Sequence, residues 1–191
     1  MKNFLFIGLV CLCLSSCLSF ENNEAFNYMS TVNVTGDWGV WQKRFYVDEF
    51  KQFTKDAYIK TSLNGVFSNS ATNGSELMVN IIGNKNNIEF DLLEYGNYPL
   101  SLIGDYNISI KISCNGETIK LGGASYSETT KRLKVYDSLT LMKAFVENSE
   151  VIMRIDIDNY GLSSYLFKVN TAGFEYAYHK AFIPEVNPVE E

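Results

Sequence analysis

From about residue 41 to residue 170, apolar and polar side chains alternate in short runs separated by Gly/Asn-rich breaks. A strand turns successive side chains to opposite faces, so this period of two marks half-buried β-structure. Nine runs carry it. DWGVWQKRFYV sets Trp41, Phe45 and Val47 on one face, and AYIKTSLNGVF and ELMVNIIG follow. NIEFDLLEYG alternates through Ile88, Phe90 and Leu92. YNISIKISC and ETIKLGG flank Asn115-Gly116, the pair favoured in a two-residue hairpin turn whose central residues both take positive φ. KRLKVYD, EVIMRIDID and SYLFKVN complete the set. SNSATNGS and GNKNN have turn composition.

Two stretches break the period. SLTLMKAFVEN spaces Leu139, Met142, Phe145 and Val146 as one helical stripe, with Asp137 or Ser138 placed to cap it. TAGFEYAYHKAF does the same with Phe174, Ala177, Tyr178, Ala181 and Phe182. The expected fold is therefore mainly β: a β-sandwich or flattened barrel of about nine strands with two short covering helices. An open sheet packed by both helices is the second choice.

The ends of the chain read differently. Lys2 precedes FLFIGLVCLCL, an eleven-residue apolar run, and Leu14-Ser15-Ser16-Cys17 follows. A basic start, a short apolar run and small residues before a cleavage point are the anatomy of a secretory signal, too short to span a bilayer stably. Three cysteines crowd into CLCLSSC with the only histidine, His179, far away, which suits neither a zinc site nor a disulfide framework. Leu14-Ser15-Ser16-Cys17 closely resembles the lipobox of bacterial lipoproteins. The resemblance implies cleavage between Ser16 and Cys17, acylation of Cys17, and residence in the bacterial cell envelope, periplasmic or at the surface. Each buried acyl methylene contributes about 0.8 kcal/mol, so two or three chains hold a soluble domain on a membrane. Residues 17–36 then read as a tether, 37–182 as a single β-rich domain, and 183–191, with Pro184, Pro188 and three glutamates, as a disordered acidic tail.

Composition narrows the partners. Residues 1–16 hold one basic and no acidic residue, so the chain from Cys17 onward carries 15 basic and 22 acidic residues. That balance disfavours nucleic acid, which calls for clustered Lys and Arg. Cys114 continues the apolar register of Ile108, Ile110 and Ile112 and is expected to be a small buried hydrophobe.

Chemistry-bearing motifs are sparse. DIDNYG places Asp156, Asp158 and Gly161 at three EF-hand positions, but Tyr160 and Phe167 stand where ligands are required, so a turn is expected instead of a Ca²⁺ site. Gly122-Gly123 lacks the following helix and lysine of a phosphate loop. A Cys114–His179 pair would need an exposed thiolate, and no G-x-S-x-G elbow is present. Asp48, Glu49 and Glu94 fall near strand ends, where a carboxylate pair of a glycan hydrolase would sit. Tyr95, Tyr98 and Tyr126 lie beside Gly-rich turns and would form the planar aromatic row of a carbohydrate-binding module.

Trp41 with YVDEF, FSNSAT (67–72), LLEYGNYP and SYLFKVNTAGF together look loosely like a group of small secreted bacterial β-proteins. The likeness rests on turns and core aromatics and implies no catalytic residue. The functional expectation is thus a lipid-anchored, non-catalytic binding or structural module of the envelope, with a protein or glycan ligand and no metal or cofactor. The alternatives are a two-carboxylate glycan hydrolase and a carbohydrate-binding module.

Overall fold

The computed structural model describes residues 40–159 and 161–183. The lipobox with Ser16 and Cys17, the tether, and the tail beyond Ile183 lie outside the described residues. Eleven antiparallel strands form one sheet: β1 (Gln42–Val47), β2 (Phe53–Ser68), β3 (Ser75–Gly83), β4 (Ile88–Glu94), β5 (Tyr98–Pro99), β6 (Asn107–Cys114), β7 (Glu117–Lys120), β8 (Ala124–Ser127), β9 (Arg132–Val135), β10 (Glu150–Asp158) and β11 (Leu162–Asn170). Helix α1 (Ser138–Glu147) lies between β9 and β10, and α2 (Phe174–Phe182) follows β11. Each of the nine alternating runs contains a strand. The two additions are β5, only two residues long, and β8, whose ASYS carries a single large side chain and so shows little alternation.

Neighbours run β7-β6-β10-β11-β2-β3-β4-β9-β8, with β1 on β2 and β5 on β4. The two ends of that order, β7 and β8, are consecutive in the chain and separated only by Leu121-Gly122-Gly123. This linker is bonded on both sides. Leu121 N–H donates to Ile110 O at 2.9 Å, Ile110 N–H donates to Gly122 O at 3.3 Å, and Tyr136 N–H donates to Gly123 O at 3.1 Å. Leu121 and Gly122 together face Ile110, a bulge that bends the strand. The bent stretch Glu117–Ser127 therefore joins both edges of the sheet and closes it into a flattened barrel. Gly122 takes φ +73°, and a Cβ on Gly123 would stand 2.6 Å from Ile108 O. The double glycine belongs to this corner.

The alternating apolar positions fill the barrel. Ile108, Ile110 and Ile112 of β6, Met153 and Ile155 of β10, Phe167 of β11, Ile81 of β3 and Phe90 of β4 are all buried in one cluster. With about eight strands in a ring, side chains alone suffice to fill the interior. Cys114 shares this face but is half-buried at the strand end, less enclosed than its register suggests. Asn115 and Gly116 both take positive φ, at 50° and 83°, as the hairpin requires.

One end of the barrel is plugged. Trp41 stacks edge-on against Phe174 at 4.9 Å and lies 5.9 Å from Phe145, while its Nε1–H donates to Asn170 O at 3.2 Å. Asp137 caps α1 by accepting from Thr140 N–H. The buried side of α1 differs from the expected stripe. Leu141, Met142, Ala144 and Phe145 face the core, whereas Leu139 is 74% exposed and Val146 is also exposed. Four apolar residues permitted two overlapping stripes, and Phe145 against Trp41 and Phe174 selects between them. Helix α2 follows its expected face through Phe174 and Ala177.

Candidate functional site

The end opposite the plug gathers the turns that hold Gly74, Gly96, Gly104 and Gly161. Here β4 ends at Glu94, β10 ends at Asp158 and β11 begins at Leu162. The segment from Leu100 to Tyr106 crosses this end and is tied down on two sides. Tyr126 Oη–H donates to Leu100 O at 2.7 Å, and Asn159 Nδ2 donates to Ile103 O at 2.9 Å and to Asp105 O at 3.3 Å. Beneath the strap lies a cleft of about 230 Å³ lined by Glu94, Pro99, Ser101, Asn159, Ser163 and Tyr165, among others.

Glu94 and Tyr165 form its floor. Both occupy inward-facing positions, and Tyr165 Oη–H donates to Glu94 Oε1 at 2.7 Å. Tyr165 is fully buried, and that burial pushes its phenol far above the usual tyrosine range. The hydrogen bond to Glu94 and the carboxylate charge push the same way. The phenol is thus a fixed donor, and the carboxylate is its fixed acceptor.

Tyrosines surround the mouth. Tyr95 is 51% exposed and sits at φ 51°, a left-handed backbone that a bulky residue rarely adopts. It is held there by its N–H bond to Glu76 O at 2.8 Å and by its ring against Phe67 at 5.0 Å. Tyr98, 63% exposed, pairs with Glu94 across the β4–β5 turn. Tyr106 packs edge-on against Tyr126 at 6.2 Å.

The three tyrosines expected to act together do reach the same end of the barrel, yet they do not form a planar row. Tyr95 and Tyr98 meet at 85° with centroids 6.3 Å apart, and Tyr126 is half-buried and committed to Leu100 O. The expected aromatic platform is corrected accordingly, because a left-handed turn residue swings the Tyr95 ring onto Phe67. Of the three carboxylates near strand ends, Glu94 alone lines the cleft. Asp48 Oδ1 accepts from the N–H groups of Phe50 and Gln52 and organises a turn, and Glu49 is exposed beside it. Tyr165 carries no sequence signal of its own beyond an inward register position.

A second polar group lies on the opposite face of the sheet. Ser62, Asn80, Asp91 and Arg132 stand directly opposite one another on β2, β3, β4 and β9. Ser62 Oγ–H donates to Asn80 Oδ1 at 2.6 Å, and Asn80 Nδ2 donates to Asp91 Oδ2 at 3.1 Å. Glu89 approaches Arg132 at 3.6 Å. Asp91 is only 2% exposed, and desolvation raises its carboxyl pKa against the opposing pull of Asn80, Arg132 and Lys60. Desolvation likewise lowers Lys60. This ladder ties four strands together. A further hollow of about 350 Å³ lies between the end of α1 and the start of α2. Its Thr171 hydroxyl already bonds Asn148 O, and Asn148 Nδ2 bonds Ala144 O.

Among the described residues, no group of three or more His, Cys, Asp or Glu is placed to hold a metal ion, and no helix is long and apolar enough to cross a membrane. Asp156 of the DIDNYG stretch pairs with Arg154 and accepts from Ser164 Oγ–H at 2.7 Å, and Gly161 takes φ 145°. No family model, curated protein or solved structure matches this chain.

Proposed function

We propose that this chain is a lipid-anchored protein of the bacterial cell envelope whose barrel is a non-catalytic binding module, with the cleft at Glu94 and Tyr165 as its binding site. The membrane partner is reached through Cys17, and the domain faces the periplasm or the cell exterior. The observation that carries the binding reading is the mouth itself. A strap held by Tyr126 and Asn159 covers a cleft whose polar groups are fixed by bonds to one another. Preorganised polar groups in a concave site favour binding, because little order is lost when a ligand arrives.

The cleft holds a single carboxylate among its described lining residues, so a two-carboxylate hydrolysis would find half its machinery there. A carbohydrate-binding module would use the exposed Tyr95 and Tyr98 rings, but at 85° they offer an edge and a face and no common plane.

Two measurements test the proposal in intact cells. Cys17→Ala should abolish labelling by a clickable fatty acid and leave an uncleaved or mislocalised precursor; persistent labelling would end the anchor reading. A photo-crosslinking residue in place of Tyr98 should capture a ligand, while the same residue in place of Tyr176 at the plugged end should not. Equal capture at both ends, or none at Tyr98, would remove the mouth as the binding site.

A further inference from the structure

We infer that the mouth takes an organic cation, an ammonium group carried on an alkyl chain, with Glu94 as its counter-charge. The inference rests on the mouth being a binding site and names the chemistry of its ligand.

Three observations converge. The first is the lining. Its polar side chains are the Glu94 carboxylate, the Tyr165 phenol, the Ser101 and Ser163 hydroxyls and the Asn159 amide, with no Lys, Arg or His among the described residues. An anion would meet an unopposed carboxylate. A neutral polyol would leave that charge without a partner in a half-enclosed space, which is costly.

The second is the state of Glu94. Tyr165 donates to Oε1, and no other protein donor reaches the carboxylate among the described residues. Oε2 retains its acceptor capacity, while the bond at Oε1 fixes where the charge sits. A charge held in place on a rigid strand pair loses little freedom when a cation docks.

The third is the surround. The turns and strand ends at this end of the barrel carry Glu76, Asp105, Glu128 and Asp158 beside Glu94, against Lys131 and Arg132, the latter held on the outer face of the sheet. Such a local excess draws cations toward the mouth. The exposed Tyr95 and Tyr98 rings add π faces beside Glu94, and a ring face attracts an ammonium group. A volume of about 230 Å³ admits an ammonium on a few methylenes, the size of a lysine side-chain tip or a small free amine.

The experiment uses the full-length chain in detergent micelles, isotopically labelled, titrated with n-butylammonium chloride against potassium chloride of equal ionic strength. The backbone amide signals of Ser101, Asn159 and Ser163 should shift saturably. Butanol and butyrate should shift them at least tenfold more weakly. Glu94→Gln should weaken butylammonium binding tenfold or more, and Glu94→Asp, which keeps the charge, should hold it within a few-fold. Glutamine can still accept from Tyr165, and an unchanged unfolding midpoint shows that the barrel is intact. Glu150→Gln, at the start of β10 on the plugged end, should bind like the wild type. A lysine-containing tripeptide titrated alongside separates a side-chain source from a free amine: the tighter of the two identifies the source. Butyrate or butanol binding as well as butylammonium, or Glu94→Gln binding as before, would overturn the inference. Crosslinking from Tyr98 that captures an uncharged or anionic ligand would overturn it too while leaving the binding-module reading in place. A mouth that captures nothing and answers to no probe would end both.

Discussion

Tyr165 and Glu94 are 71 residues apart in the chain, and a 2.7 Å hydrogen bond joins them at the floor of the barrel mouth. It spans β11 and β4, which are not neighbours in the sheet. The bond therefore reaches across the interior and braces the two walls. Tyr165→Phe removes the donor while keeping the ring. The expected cost is about 1.5 kcal/mol, the scale of a hydrogen bond to a charged group, or about 4 °C in melting temperature. Denaturant unfolding of both proteins at pH 7 checks this. A variant as stable as the wild type would show that the bond does not brace the barrel.

The corner at Gly122-Gly123 sets two glycines of unequal tolerance side by side. Gly123→Ala would drive a methyl group to 2.6 Å from Ile108 O, a rigid backbone atom, so the strand must shift. A loss of about 3 kcal/mol or failure to fold is expected, as for other large steric disruptions. At Gly122 nothing lies near a new methyl, and only the positive φ is penalised, so Gly122→Ala should cost about 1 kcal/mol. The comparison is read from paired unfolding curves. Equal costs would refute closure through this corner.

Asp91 should oppose stability at neutral pH. Burial raises its folded pKa above the ordinary 3.8. The protonated form is therefore favoured in the fold. Its contribution is fully present below about pH 4 and is lost as pH rises through the raised value. Asp91→Asn cannot ionise and can still accept from Asn80. It should be more stable than the wild type at pH 7, with the advantage vanishing near pH 3. A constant difference across that range would show that Asp91 titrates normally.

Tyr58 makes a similar prediction at high pH. It is buried under Tyr46, whose ring lies 4.8 Å away, and its phenol is pushed up to about 12 from 10.0, chiefly by desolvation. The folded pKa is again the higher one, so stability is intact below pH 10 and falls as pH rises toward 12. Tyr58→Phe should flatten that decline in unfolding midpoints measured at pH 9 and pH 11. An unaltered decline would assign it to other groups.

The alternation of apolar residues was enough to reveal a mainly β chain, nine of its eleven strands and the Asn115-Gly116 hairpin. Those features depend on neighbours a few residues apart, and period-two burial or a positive-φ pair writes itself locally into the sequence. Glu94 was legible as a carboxylate at a strand end and Gly122-Gly123 as a motif without phosphate chemistry, but neither had a role until the strands were placed. Alternation reports which face of a strand is apolar and is silent about which strand lies beside it. Strand order therefore came only with the tertiary structure: β11 beside β2, and β7 and β8 on opposite edges although three residues apart. That order closes the barrel at Gly123, stacks Ser62, Asn80, Asp91 and Arg132 into one ladder, and brings Tyr165 to Glu94. Long-range hydrogen bonds and a shared interior decide such pairings, and no short window of sequence contains both partners.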